Sequence, residues 1–170
     1  MKGDSQSKVL YLVSCAAPPT QAVGELVDLL QADGWAVCLV LTPRAAGWVD
    51  RDALAQLTGH PVRDDYKLPD DPESLPLADA VVVAPATFNT INKWVAGIND
   101  TFALGVLNEA LGLRLPVTIV PYAKATLAAH PVFDANLRTL AQWGVQVLPN
   151  EVIRVDRRSF DWSPVVEALR

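Results

Sequence analysis

With 170 residues, 51% of them hydrophobic, and 19 acidic against 14 basic side chains for a net charge of -5, the chain suits one globular domain and lacks a phosphate-tracking basic surface. No apolar run approaches the roughly 20 residues that cross a bilayer, so neither a membrane span nor a nucleic-acid partner is expected. Cys15 and Cys38 are too few for a disulfide framework and form no C-x-x-C pair, so both should be reduced.

The first eight residues are polar and lack the apolar core and cleavage site of a signal peptide, so residues 1–7 should be disordered and the protein cytoplasmic. Residues 9–13, VLYLV, read as a buried strand that ends in the small-residue loop Ser14-Cys15-Ala16-Ala17-Pro18. Backbone amides approach ligands at such a first strand-to-helix turn, and Ser14 offers a hydroxyl there. A helix follows over 20–32 with Ala22, Leu26, Leu29 and Leu30 on one face, stopped by Asp33-Gly34. Residues 35–41, WAVCLVL, are the second strand, and the threonine of Thr42-Pro43-Arg44 serves either as a helix N-cap or as a phosphate ligand. A short amphipathic helix over 50–58 ends at Gly59-His60-Pro61. His60 has no companion at metal-ligand spacing, so no metal site is expected.

Residues 62–76, VRDDYKLPDDPESLP, have no helical period and read as an irregular loop. After Asp79 comes a run of apolar residues that suits a strand buried on both faces, and Pro85 should break it and hold the backbone off the sheet. In the polar loop beyond, Thr87, Asn89 and Thr90 cap the next helix or bind an anionic or polar ligand. A further strand over 116–120 leads to Pro121-Tyr122-Ala123-Lys124. A helix over 133–143 and a strand over 145–148 follow, and then residues 151–170 depart from the pattern as a carboxyl-terminal extension, with Ser163-Pro164 opening a short helix. Arg154, Arg157 and Arg158, beside Asp156 and Asp161, read as solvated surface. Strands alternating with helices predict one domain over 1–170, an α/β three-layer Rossmann-like open parallel sheet of about five or six strands with helices on both faces.

The run from Pro85 to Leu104, through Pro85, Ala86, Asn89, Thr90, Lys93, Gly97 and Asp100 in register, resembles the PASANT loop and the following segment of the flavin-containing cysteine decarboxylases. That family includes phosphopantothenoylcysteine decarboxylase and the peptidyl-cysteine decarboxylases of lantibiotic synthesis, and the resemblance extends over roughly residues 8–150. Only the resemblance implies flavin mononucleotide (FMN) as cofactor, because the chain carries no nucleotide motif of its own, neither a P-loop nor G-x-G-x-x-G. The implied cofactor-binding residues are Ser14, Cys15 and Ala16 after the first strand, Thr42 with Trp48 six residues on, and Pro85, Ala86, Thr87, Asn89 and Thr90. Tyr122 and Ala123 complete the set. The first of these loops departs from the family's G-S-x-A in lacking glycine and in preceding Pro18-Pro19.

The resemblance also implies a homo-oligomer built on a trimer, with flavin between subunits. Residues 97–109 carry more apolar side chains than one helix face needs, although Ile98, Phe102, Val106 and Leu107 could instead enter the monomer core. Two family markers are missing. Asp71 stands where the family has its histidine, and Lys124 replaces the asparagine of P-x-M-N-x-x-M-W. Asp71, a weak base at neutral pH, and Lys124, either solvent-facing or anion-binding, are the remaining candidates for catalysis. His130, next to Pro131, reads as a helix-start residue. Two functions stay open: a flavoprotein with redox or decarboxylase-like chemistry on a small or peptidyl substrate, and a non-catalytic binding or regulatory protein that keeps the fold.

Overall fold

A computed structural model of the chain describes residues 6–71 and 74–170, so most of the stretch expected to be disordered, residues 1–5, lies outside the described residues. Strands β1 (Val9–Ser14), β2 (Ala36–Leu41), β3 (Ala80–Ala86), β4 (Val117–Pro121) and β5 (Gln146–Val147) form one parallel sheet in the order β2-β1-β3-β4-β5. The strands alternate with helices. These are α1 (Val23–Ala32), α2 (Pro43–Ala46), α3 (Arg51–Thr58), α4 (Phe88–Val95), α5 (Phe102–Gly112), α6 (Ala125–Ala128), α7 (Pro131–Gln142) and α8 (Ser163–Ala168). No helix among the described residues is long and apolar enough to cross a membrane.

Because successive strand residues point to opposite faces, the sheet separates two apolar clusters. Leu10, Leu12, Leu39, Val82 and Ala84 pack with α1, Leu54 of α3 and Val165 and Val166 of α8. Val13, Val81, Val83 and Ile119 pack with Ile91 and Trp94 of α4, Leu107 of α5 and Phe133 and Leu140 of α7. Helices therefore cover both faces, and the central strands read as unbroken apolar runs for that reason.

Several local expectations differ from the structure. The first helical segment opens as a 3-10 turn, Pro18–Ala22, and α1 buries Val23, Leu26, Val27 and Leu30. Leu29 is 42% exposed: the register set by the turn rotates it away from the sheet. Pro85 does not end its strand. The Ala84–Pro85 peptide is cis, the pairing shifts between Val83 and Ala86, and Ala86 still pairs with Pro121. Ser163, expected at the opening of its helix, is the first residue of α8, with Trp162 in the cap position, and its N–H donates to the Asp161 carboxylate at 2.9 Å. The loop after α3 is less irregular than its composition implies, since Arg63 bridges to Val40 and covers the β2 edge.

Buried Cys38, facing Tyr11 across β1 and β2, has its thiol pushed up to about 11 by burial. The folded state thus keeps a proton that the unfolded thiol, near 9.0, loses. Stability from this group is fully present below the unfolded value and is lost as pH rises toward about 11. Denaturant titrations across that window should show a loss on the order of 2 kcal/mol, diminished in Cys38→Ala. An equal alkaline loss in that variant contradicts the assignment.

Candidate active site at the carboxyl edge of the sheet

Each strand end is fastened to its neighbour by one further backbone bond. Thr42 N–H donates to Ser14 C=O at 3.1 Å, Cys15 to Pro85 at 3.0 Å, Tyr122 to Ala86 at 2.9 Å and Glu151 to Pro121 at 3.0 Å. The five loops beyond the strands are thereby held side by side in sheet order. In the order β2-β1-β3, the chain reverses direction across the sheet between β1 and β3, and there the loops part to leave a crevice.

A cleft of about 970 Å³ occupies this edge, at the upper end of the range for small-molecule sites. Ala16 and Pro18 line it from the β1 loop, Thr42 and Arg44 from the β2 loop, and Thr87, Asn89, Thr90 and Lys93 from the start of α4. Tyr122, Ala123 and Lys124 come from the β4 loop, and Glu151, Arg154 and Arg157 from the stretch after β5.

The polar residues divide into those bonded within the protein and those left for a ligand. Thr42 caps α2, accepting from Ala45 N–H at 3.3 Å, and Thr87 caps α4, accepting from Thr90 N–H at 3.4 Å. The Thr90 hydroxyl oxygen accepts from Cys15 Sγ and from Thr87 Oγ1, each at 3.3 Å. Burial raises the Cys15 thiol, so it stays protonated and acts as a donor rather than a nucleophile. Asn89 is exposed and has no side-chain partner among the described residues, and the first amides of α4 have no intrahelical acceptor. Their partial positive charge favours an anion.

Not every residue expected in the cofactor set reaches the cleft. Ser14 is fully buried and its hydroxyl donates to Ala84 C=O at 2.6 Å, so it braces β1 against β3. Cys15, Pro85 and Ala86 are buried behind the lining. Trp48, 41% exposed, lies outside it, because Gly47 ends α2 and directs the chain away. Asp71 is also outside, with its carboxylate 3.1 Å from Arg63 Nη1. His130 caps α7, its Nδ1 accepting from Val132 N–H at 3.1 Å.

The flavoprotein family model matches residues 2–169, past the limit of the motif resemblance. The chain belongs to the flavoprotein family. It is 32% identical over 143 residues to the coenzyme A biosynthesis bifunctional protein CoaBC of Thermococcus kodakarensis, covering 78% of this chain and 35% of that protein. It is 35% identical over 101 residues to a cysteine/cysteine sulfinic acid decarboxylase from an unknown prokaryotic organism, covering 56% of this chain and 27% of that protein. The chain thus spans about a third of the length of the curated relatives it matches. Among solved structures, the FMN-dependent cysteine decarboxylase SpaF shares the fold, with a TM-score of 0.78 at 21% identity over 96% of this chain and 94% of that one. The FMN-dependent cysteine decarboxylase TvaF of thioviridamide biosynthesis gives a TM-score of 0.74 at 26% identity over 84% of this chain and 90% of that one.

In this flavoprotein the wall formed by residues 150–161 is the part that sequence reasoning missed. Asn150 grips the β4 loop at both backbone groups of Ala123, accepting from its N–H and donating to its C=O, each at 2.9 Å. Ile153 is fully buried in the core, and the Phe160 ring meets Tyr122 edge to face at 6.1 Å. Burial raises the Tyr122 phenol, only partly offset by the nearby Arg154 charge, so the ring presents a neutral hydroxyl. Removing both grips in Asn150→Ala should lower the denaturant midpoint by about 1–3 kcal/mol of stability, with Asn150→Asp intermediate because it keeps only the acceptor. Equal stability of all three proteins counts against this role.

Proposed function

We propose that the chain binds FMN in this cleft and uses it for redox or decarboxylase-like chemistry on a small or peptidyl substrate. The cleft at the β1/β3 reversal carries the reading, because an open parallel sheet offers its ligand site there. The residues present fit the group. The cleft is large enough for a flavin nucleotide, and the start of α4, with unpartnered Asn89, offers donors for a phosphate. Thr42 adds an oxygen at the neighbouring strand end. Bound flavin would supply two-electron redox chemistry. The chain's own residues would bind the phosphate through Asn89 and the hydroxyl hydrogens that Thr42 and Thr90 leave uncommitted, with Thr87 holding the cap of α4 in place, position the ring against the Tyr122-Ala123 backbone, and present Lys124 to a substrate anion.

An absorbance spectrum of the purified protein, after incubation with FMN and gel filtration, tests this reading. Bands of oxidised flavin and one FMN released per chain on denaturation are expected. A colourless protein that takes up no FMN overturns it.

A homo-oligomer, with a trimer as building block, belongs to the same proposal. Leu107 is fully buried in the monomer and Phe102 and Val106 are partly so, but Ile98 stays 41% exposed at the start of the α4–α5 connection. Light scattering should give about three times the chain mass of 18.4 kDa, and a value at that single-chain mass removes the trimer.

A further inference from the structure

A second cavity, of about 440 Å³, opens at the amino edge of the sheet, where α5 turns into β4 and α7 turns into β5. Its volume lies within the range of small-molecule sites. Buried Val117 and Val145 and half-buried Leu111 and Leu115 line it, together with Trp143, which is 50% exposed. Arg114 is the one charged residue in this lining, and its side chain has no partner among the described residues.

The turn that carries Arg114 recurs in this fold. After α1, α5 and α7 the chain leaves the helix through a residue of positive φ, and a backbone bond closes each turn: Leu30 C=O accepts from Trp35 N–H, Ala110 C=O from Leu115 N–H and Leu140 C=O from Val145 N–H, each at 3.0 Å. The positive-φ residue is Gly34 (95°) after α1 and Gly144 (93°) after α7, but it is Arg114 (56°) after α5. An L side chain there crowds its Cβ against the following carbonyl, a strain that glycine avoids. Among the described residues the other non-glycine of positive φ is Glu151, which lines the main cleft. Backbone strain of this kind gathers at ligand sites. At Arg114 it falls on the residue that supplies the cavity's charge.

We infer that this cavity is a separate binding site for a small apolar acid, an aryl carboxylate, whose ring packs against Trp143 and the aliphatic lining while its carboxylate bonds the Arg114 guanidinium. The planar guanidinium matches a carboxylate with two parallel N–H donors, and the half-exposed indole offers the ring a face. A single cation in an otherwise apolar lining suits one negative charge on an apolar body. The site lies at the opposite end of β4 from the Tyr122-Ala123 backbone, roughly 13 Å away at the rise of a parallel strand, so it does not depend on the flavin reading.

The test is calorimetric titration of the full chain with 2-naphthoate in one arm and the uncharged 2-naphthamide in the other. One equivalent of the acid should bind, the amide should bind at least about 10-fold more weakly, and saturating FMN should change neither. Glycine suits the turn, so Arg114→Gly should keep or raise the denaturant midpoint while its affinity for the acid falls to that for the amide. Trp143→Ala should weaken both ligands about 10-fold, because the ring contact is common to them. Equal binding of acid and amide, or unaltered acid affinity in Arg114→Gly, overturns the site, as does displacement of the acid by FMN, which would put the acid in the main cleft. Absence of binding overturns it too, and if Trp143→Ala then dissociates an oligomer in light scattering, the cavity is a contact between copies of this chain.

Discussion

Flavin-loaded protein mixed anaerobically with phosphopantothenoylcysteine is expected to keep its flavin oxidised and to release carbon dioxide at least about 100-fold more slowly than a relative with the full set of family markers. The expectation comes from the two positions at which the motif resemblance implies a departure from the decarboxylase pattern. By the resemblance Asp71 stands at the histidine position, and its carboxylate is committed to Arg63 at 3.1 Å, outside the cleft lining. A positioned acid-base group contributes about 10²- to 10⁴-fold. A salt-bridged carboxylate that is a weak base at neutral pH does not replace it. By the same resemblance Lys124 stands at the asparagine position, which would put a compact charge on a flexible stem in place of a planar amide. Misplacing the substrate by about an ångström costs a further factor on the order of 10². Rapid bleaching with stoichiometric carbon dioxide would show that another group takes the histidine's part.

Replacing Asn89 and Thr90 together by alanine should release the flavin, weakening its binding by about 100-fold. The two side chains act differently. Asn89 is exposed and unpartnered, so Asn89→Ala removes a direct donor with little effect on folding. Thr90 is buried and receives bonds from Cys15 and Thr87, so Thr90→Ala loosens the packing between the β1 loop and the first turn of α4. Circular dichroism separates lost fold from lost site, and gel filtration followed by absorbance reads retained flavin. A folded double variant that keeps one flavin per chain refutes the assignment of this loop.

What the sequence by itself determined is what depends on neighbours along the chain. Apolar runs bounded by glycine and proline located the five strands and the longer helices, and alternation of the two required a parallel sheet with helices on both faces. Parallel topology then put every strand's following loop on one edge, which gathers Ser14, Thr42 and the Pro85 loop, and of these Thr42 and the Thr87–Thr90 cap do line the cleft. The register over Pro85, Asn89, Lys93 and Asp100 pointed to the flavoproteins on the same local grounds.

Tertiary structure alone decided which way each of these side chains faces and what the last segment joins. Ser14 turns inward to donate to the Ala84 carbonyl, seventy positions away, so that its buried hydroxyl is satisfied. Pro85 stays in the sheet because the pairing shift between Val83 and Ala86 accommodates it. Arg154 and Arg157 have a solvent-facing composition, yet they line the cleft because Ile153 enters the core, Asn150 grips Ala123 and Phe160 packs on Tyr122. Each of these outcomes depends on pairing between residues far apart in the chain, and local propensity carries no information about such pairing.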